Sequence, residues 1–395
     1  MRLPVFMLPS KKKINGPQEE LTMYNIASLK NIVDEPYSYL QNLKNEKGKK
    51  IIGTVCTYAP EEIIHASGAL PVRLFSSDAA IHRADLHLQS YCCSLVRGIL
   101  EEALADRLDF LDGMVFPHTC DSIQRLSDVW RINLTKTFHA DVILPVKLTT
   151  DGARQYLVDV LNRFKTDLQR QLGKEITQDD LARSVRLYNE IRSLMERLYR
   201  LRCDHPEVMS GKDYHTIIRA AMIVEREAFR ESLAAIVDGL EKAAGETKPA
   251  HRKRLVICGG VCTNPDIYDA IEEAGGVAVG DDLCTGRRYF DALVDEARPP
   301  LEAMADRYMR RAVCPAKHTG ITSRGENIIR TVRDSRADGV VFLLLKFCDP
   351  HAFDYPYMRD MLESENIPSL LLEIEDQSQA VGQVQTRLET FVQIL

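Results

Sequence analysis

The sequence predicts an α/β protein in which two parallel-sheet domains repeat one module. The first observation is a motif that occurs twice: Gly53-Thr-Val-Cys56-Thr57 matches Gly259-Gly-Val-Cys262-Thr263 in four of five positions. Each copy follows a short apolar run and precedes a proline that can open a helix. The second is a downstream echo: Asp112-Gly-Met-Val-Phe116 leads to Thr119-Cys120-Asp121, and Asp338-Gly-Val-Val-Phe342 leads to Phe347-Cys348-Asp349. The two cysteines of each copy are 64 and 86 residues apart. The third is the alternation of strand-length apolar runs with amphipathic stretches, the pattern of a parallel sheet covered by helices. Self-similarity of this kind marks two copies of one supersecondary unit.

Taken in order, residues 1–49 are polar with helical periodicity near Leu21–Leu43, and they predict an N-terminal helical arm. Residues 50–150 form the first sheet domain. Lys50–Val55 reads as a buried strand, and Pro60-Glu61-Glu62 starts a helix, because proline suits the first turn and carboxylates suit the positive end of the dipole. Leu70–Phe75, Asp112–Phe116 and Asp141–Val146 read as further strands, and Ser90–Leu104 as a helix. Residues 151–250 change pattern: Tyr156–Leu172, Thr177–Arg202 and Tyr214–Ala244 carry helical periodicity and predict a helical insertion. Thr177 and Asp180 have the spacing of an N-terminal capping box. Residues 251–395 form the second sheet domain, with strands at Leu255–Ile257, Val277–Val279, Val340–Leu345 and Pro368–Glu373 and a closing helix at Gln385–Leu395.

Composition bounds the function. The chain has 395 residues, 45% of them hydrophobic, enough for more than one core. A net charge of −6 with no basic stripe argues against a nucleic-acid partner. Lys11-Lys12-Lys13 reads as a solvated cluster rather than a membrane anchor. No apolar run approaches the ~20 residues of a membrane span, and no secretory leader is legible, so a cytoplasmic location is expected. There, ten cysteines serve metal, catalysis or packing rather than a disulfide framework.

In open α/β sheets, ligands collect at the carboxyl ends of strands. Cys56, Cys120, Cys262 and Cys348 all fall there, Cys284 follows a strand closely, and Cys93 stands near the start of a helix. Each module therefore offers three cysteines: Cys56, Cys93 and Cys120, then Cys262, Cys284 and Cys348. Thiolates are soft ligands that suit iron–sulfur clusters, zinc or copper(I). No compact C-x₂-C pair exists, which disfavours a zinc finger. Any one cysteine is more simply a packing residue; six at paired strand ends are not. Cys203 and Cys258 read as packing residues, Cys314 as a reserve ligand, and Cys92 competes with Cys93. Glu62, His118 and His351 are candidate proton donors, with helix-start charge and structural histidines as the plain alternatives. Lys346 and Arg97 either offset cluster charge or sit on the surface.

The stretches GTVCTYAPEEIIHASGALPVRL, SYCCSLVRG, FPHTCDS, GDDLCTGRRYF and LLLKFCDPHAFDYPYMRDMLESENIPSLLLEIE resemble the 2-hydroxyacyl-CoA dehydratase/benzoyl-CoA reductase family, from about residue 20 onward. The resemblance implies two Rossmann-like domains with iron–sulfur clusters between them, and a separate ATP-hydrolysing activator that supplies low-potential electrons. In the dehydratase branch each chain holds one [4Fe–4S] cluster on three cysteines, and Cys93, Cys120 and Cys348 match those positions. A second set of cysteines resembles instead the double-cubane cluster proteins, which hold an [8Fe–9S] unit. The six-cysteine set is an inference from the internal repeat.

No G-x-x-x-x-G-K-[ST] or G-x-G-x-x-G occurs, so electrons must come from a partner rather than from a bound nucleotide. Two functional classes follow: a reductase component that takes electrons from the activator and reduces a small, hard-to-reduce substrate, or a lyase subunit of a dehydratase that acts on a CoA thioester. An electron-storage protein is a third, weaker reading. A chain with both cysteine sets is expected to be a homodimer.

Overall fold

The computed structural model describes residues 24–76, 80–245, 251–311, 314–375 and 381–395. Lys11-Lys12-Lys13 and the first part of the arm lie outside the described residues. Two four-stranded sheets carry the chain, and every strand pair in them is parallel. The first consists of β1 (Ile51–Thr54), β2 (Leu70–Arg73), β3 (Gly113–Pro117) and β4 (Phe138–Val142). The second consists of β5 (Lys253–Gly259), β6 (Gly276–Asp282), β7 (Gly339–Leu345) and β8 (Ser369–Ile374). Their orders are β2-β1-β3-β4 and β6-β5-β7-β8, the same permutation twice, so the sequence repeat is a topological repeat. Both are doubly wound, and the winding reverses between the first and third strands of each sheet. That switch point opens a crevice beyond the strand ends, where the cysteine loops leave.

Why these segments become strands follows from burial. β1, β6 and β7 are buried at every residue, and such strands read as continuous apolar runs rather than alternating ones. β4 ends at Val142, so the run predicted at Asp141–Val146 is mostly loop: Ile143 and Val146 are exposed.

The arm is two helices rather than one, Ile26–Asp34 and Pro36–Lys47, because Pro36 cannot continue the first and instead opens the second. The insertion is four helices: Ala153–Leu172, Gln178–Asp204, Gly211–Ala221 and Arg226–Ala244. Thr177 and Asp180 close the predicted box, with Asp180 N–H donating to Thr177 Oγ1 at 3.1 Å and Thr177 N–H to Asp180 Oδ2 at 3.0 Å. The predicted third helix breaks at Met222–Glu225. There the Met222 carbonyl accepts from Arg73 N–H at 3.0 Å, which ties the break to the edge of the first sheet. The helices Asp121–Asn133, Pro300–Arg310, Ser323–Asp334 and Asp349–Ser364 complete the layers around the two sheets. Among the described residues no helix is long and apolar enough to cross a membrane.

The repeated glycine has a steric cause. A Cβ on Gly259 would stand 2.1 Å from the Leu343 carbonyl oxygen of the paired strand β7, an approach that only a backbone shift could relieve. At Gly260 the nearest atom would be 3.5 Å away, on the His351 ring. Gly259→Ala therefore lowers stability by about 2 kcal/mol or more, and Gly260→Ala changes it by less than about 1 kcal/mol. Paired thermal melts check the contrast; equal losses would show that β5 and β7 are not packed this closely.

Candidate active site

Six thiols gather between the two halves: Cys56, Cys93, Cys120, Cys284, Cys314 and Cys348. Cys56, Cys92, Cys93 and Cys284 lie within the main apolar core, and Cys120, Cys314 and Cys348 pack against it; of the adjacent pair it is Cys93 that interacts with Cys348. They also sense one another. Burial pushes the Cys120 thiol up to about 12, and Cys348, Cys56 and Cys314 add to the rise. Burial pushes Cys314 to about 11, with Cys284 and Cys56 adding. Cys348 rises for the same reasons, with Cys93, Cys314 and Cys284 as its neighbours.

The backbone prepares three of these sulfurs. Cys93, Cys120 and Cys348 are each the N-cap of a helix, at Ser94–Leu104, Asp121–Asn133 and Asp349–Ser364. Ile123 N–H bonds to the Cys120 sulfur and His351 N–H to the Cys348 sulfur. Free N–H groups and the positive helix end favour a thiolate at that position. The helix predicted to begin at Ser90 thus starts at Ser94, which leaves Cys93 as its cap. Phe347, just before Cys348, has φ of 63°, a left-handed conformation that strains an aromatic residue and turns the chain sharply out of β7.

Cys314 arrives by non-local pairing. His318 N–H donates to the Val146 carbonyl and Leu148 N–H to the His318 carbonyl, both at 2.8 Å. Lys317 Nζ donates to the Leu144 carbonyl at 3.1 Å. Cys314 N–H reaches Tyr58 Oη at 3.5 Å. A loop of the second half is thereby stitched to two loops of the first. Cys262, predicted as the sixth member, lies elsewhere: it belongs to the second-sheet core with Ile267, Tyr268 and Leu283. Its thiol donates to the Asn264 carbonyl at 3.3 Å, and its own carbonyl accepts from His215 Nε2 at 2.9 Å. Cys258 packs in a third core cluster, and Cys203 sits beside Arg254, both outside the thiol group.

Cations surround the sulfurs. Arg288 donates to Cys284 Sγ at 3.4 Å and to Asp282 Oδ2 at 2.9 Å. Arg311 interacts with Cys56, and Lys317 with Cys56, Cys314 and Cys120. Burial holds Lys317 below its usual range, and the neighbouring thiols pull it back up. Nothing local in the sequence marks any of these three. Lys346 and Arg97 instead make outer ion pairs, with Glu375 at 3.1 Å and Asp85 at 2.6 Å.

The candidate proton donors separate. His351 is buried and held well below its usual range by burial and by Arg324 and Arg288, so it is neutral, and its Nδ1 has no hydrogen-bond partner among the described residues. His118 is tied to Asp141 at 2.7 Å, an acceptor that also binds Ser127 Oγ at 2.5 Å. Glu62 is fully buried and paired with Arg192. Against the upward push of burial, Arg192 and Arg307 hold its carboxyl below its ordinary range. An open pocket of about 440 Å³ reaches Cys120 and Lys317, with Asp349, Arg324 and the exposed Phe353 on its walls.

Among the described residues no three His, Cys, Asp or Glu side chains stand close enough to hold a single metal ion. The six thiols are spread wider, which suits a polynuclear cluster bound at its corners better than one ion. All-sulfur donors and three nearby cations fit an anionic iron–sulfur unit.

Glu62 carries a prediction. Glu62→Gln leaves Arg192 as a buried charge without its counter-ion and lowers stability at neutral pH by on the order of 3 kcal/mol. A carboxyl held low in the folded state stabilises above its ordinary range and loses that contribution as pH falls through its folded value. The gap between wild type and variant therefore narrows on acidification. Urea melts at about pH 7 and about pH 4 measure it; a gap that widens in acid would contradict the pairing.

Comparison with known proteins agrees with this architecture. Residues 56–395 match the family model described as 2-hydroxyglutaryl-CoA dehydratase, D-component. The (R)-phenyllactyl-CoA dehydratase beta subunit of Clostridium sporogenes is 26% identical, over 93% of this chain and 97% of the relative. A benzoyl-CoA reductase subunit of Thauera aromatica is 27% identical, over 88% and 91%. The beta subunit of (R)-2-hydroxyglutaryl-CoA dehydratase from Acidaminococcus fermentans is 25% identical, over 94% and 98%. With a family match spanning most of its length and two like parallel sheets, the chain belongs to the 2-hydroxyacyl-CoA dehydratase and benzoyl-CoA reductase family.

Proposed function

We propose that the chain is the cluster-bearing component of an iron–sulfur reductase, holding a double-cubane [8Fe–9S] unit on Cys56, Cys93, Cys120, Cys284, Cys314 and Cys348. The observation that carries this reading is the convergence of six thiols from both halves on one region lined by Arg288, Arg311 and Lys317. Three thiols would serve a single [4Fe–4S] cluster; six from two halves support a larger unit. This revises the ligand set read from the repeat, with Cys314 in place of Cys262.

The bound cluster supplies low-potential electron transfer. The protein's own residues do the rest. Cys93, Cys120 and Cys348 present sulfur at helix N-termini, which lowers the cost of the thiolate. Arg288, Arg311 and Lys317 offset negative charge. The pocket beside Cys120 admits a small substrate, and Lys317 on its wall is placed to hold a proton near it. Electrons come from an ATP-hydrolysing activator, since the sequence shows no phosphate-binding loop motif. A homodimer in the cytoplasm completes the reading.

A second reading has support of its own. The relatives bear the names of dehydratase and reductase subunits, two of them a dehydratase "beta" subunit. The chain would then be one subunit of a dehydratase, a lyase acting on a CoA thioester with a different subunit beside it.

Iron content separates the two. Anaerobically purified chain is expected to be brown with about eight irons per chain, against about four for the dehydratase reading. Cys314→Ser loses iron and Cys262→Ser keeps it, because a hydroxyl is a poor soft-metal ligand and only the first thiol faces the others. Full iron in Cys314→Ser with loss in Cys262→Ser would overturn the revised set, and a colourless protein holding one zinc would overturn the cluster.

A further inference from the structure

A wide cavity lies away from the thiols. It measures about 970 Å³ and opens between the arm, the outer end of β2, the helix Gly211–Ala221 and the loop after β5. Arg73, the last residue of β2, lines it. Only 5% of this arginine is exposed. Its Nε is buried without a hydrogen-bond partner among the described residues, and its guanidinium stands 5.9 Å from the Phe75 ring centroid.

Three of the other cations on the wall are already matched, and the Glu35 and Glu375 carboxylates also line it. Lys212 binds Asp266 at 2.8 Å and Asp269 at 2.7 Å, Arg107 binds Glu102 at 2.8 Å, and Lys30 binds Asp34. His215 adds no charge, since burial and Arg219 depress it to about 4. Arg219 itself lines the cavity, with its guanidinium 4.2 Å from the same Phe75 ring centroid. A buried charge is retained only when something compensates it, and a distant contact with one ring compensates little. Arg73 thus presents a buried, incompletely bonded guanidinium to a wide aqueous cavity. Guanidinium is the group best shaped to bind phosphate through paired N–H donors.

The geometry points to a phosphate site in this cavity: Arg73, with Arg219 beside it, binds the phosphate group of a small molecule whose body fills the remaining space. The site is separate from the thiols and stands whether the cluster is a double cubane or a single one. The shared chemistry is the phosphate group, and two probes distinguish its source. Inorganic pyrophosphate tests the anion alone, and coenzyme A tests a phosphate ester with a large body.

Calorimetric titration of the anaerobically purified full chain is the test. Wild type is expected to bind pyrophosphate, and Arg73→Met to weaken that binding about tenfold or more while iron content is unchanged. Lys212→Met, whose lysine is already held by two carboxylates, is expected to leave affinity as in wild type. Arg73→Lys keeps the charge but loses the fork and is expected to fold and bind more weakly, so the test survives if the methionine variant does not fold. Coenzyme A binding more tightly than pyrophosphate, and losing affinity in the same Arg73 variants, would assign the cavity to a large phosphate ester. Equal affinities would assign it to the free anion. Absence of binding by wild type to both probes, or Arg73 variants that bind as wild type does, would overturn the proposal.

Discussion

A buried layer of guanidinium, carboxylate and tyrosine groups joins the two halves of the chain, and the position of the thiols depends on it. Glu62 pairs with Arg192 of the insertion. Its neighbour Glu61 accepts from Tyr289 Oη at 2.9 Å, from Tyr188 Oη at 3.2 Å and from Arg226 at 3.3 Å. Arg311 donates to the Thr57 carbonyl at 2.9 Å and lies 3.8 Å from the Tyr58 ring centroid, and Tyr308 Oη donates to the Ala59 carbonyl at 2.9 Å. Apolar packing tolerates small slips; buried charges do not, because an unmatched one is costly. The segment after Cys56 and the segment before Cys314 are therefore held in one register, although 258 residues separate the two cysteines.

The same matching of charge shapes the thiol region. Buried thiols resist ionisation, as the raised values of Cys120 and Cys314 show, yet metal ligation requires thiolates. Helix N-termini at three sulfurs and the cations Arg288, Arg311 and Lys317 lower that cost. Asp282 in turn holds Arg288 at 2.9 Å and Arg324 at 2.6 Å, so the cationic wall is anchored from behind rather than free to collapse onto the sulfurs. The protein is built to accept negative charge at this place.

Much of this is legible in the sequence, and the limits have physical causes. Strand identity is legible because buried parallel strands are short continuous apolar runs, and the repeat carries the shared topology of the two sheets. The capping box at Thr177 is legible because it is local. A repeat predicts equivalent positions in each copy and so points to Cys262, whereas the thiol that stands with Cys56 and Cys284 is Cys314, and Cys262 packs in the second-sheet core. The segment that bears Cys314 is placed by pairing His318 with Val146 and Leu148, which no local pattern encodes. Glu62 looks like helix-start charge or a proton donor, and its partner Arg192 lies 130 residues away. Arg73 gives no signal at all, since an arginine ending a strand is ordinary until its burial is known.

The central claim is that sulfur from both halves holds a multi-iron cluster. X-ray absorption at the iron edge of the anaerobically purified chain tests it most directly, because it reads ligand type and metal–metal neighbours without a substrate or an activator. The account predicts a coordination shell of sulfur alone with a strong iron–iron contribution. A shell dominated by nitrogen or oxygen, or iron without an iron neighbour, would contradict it.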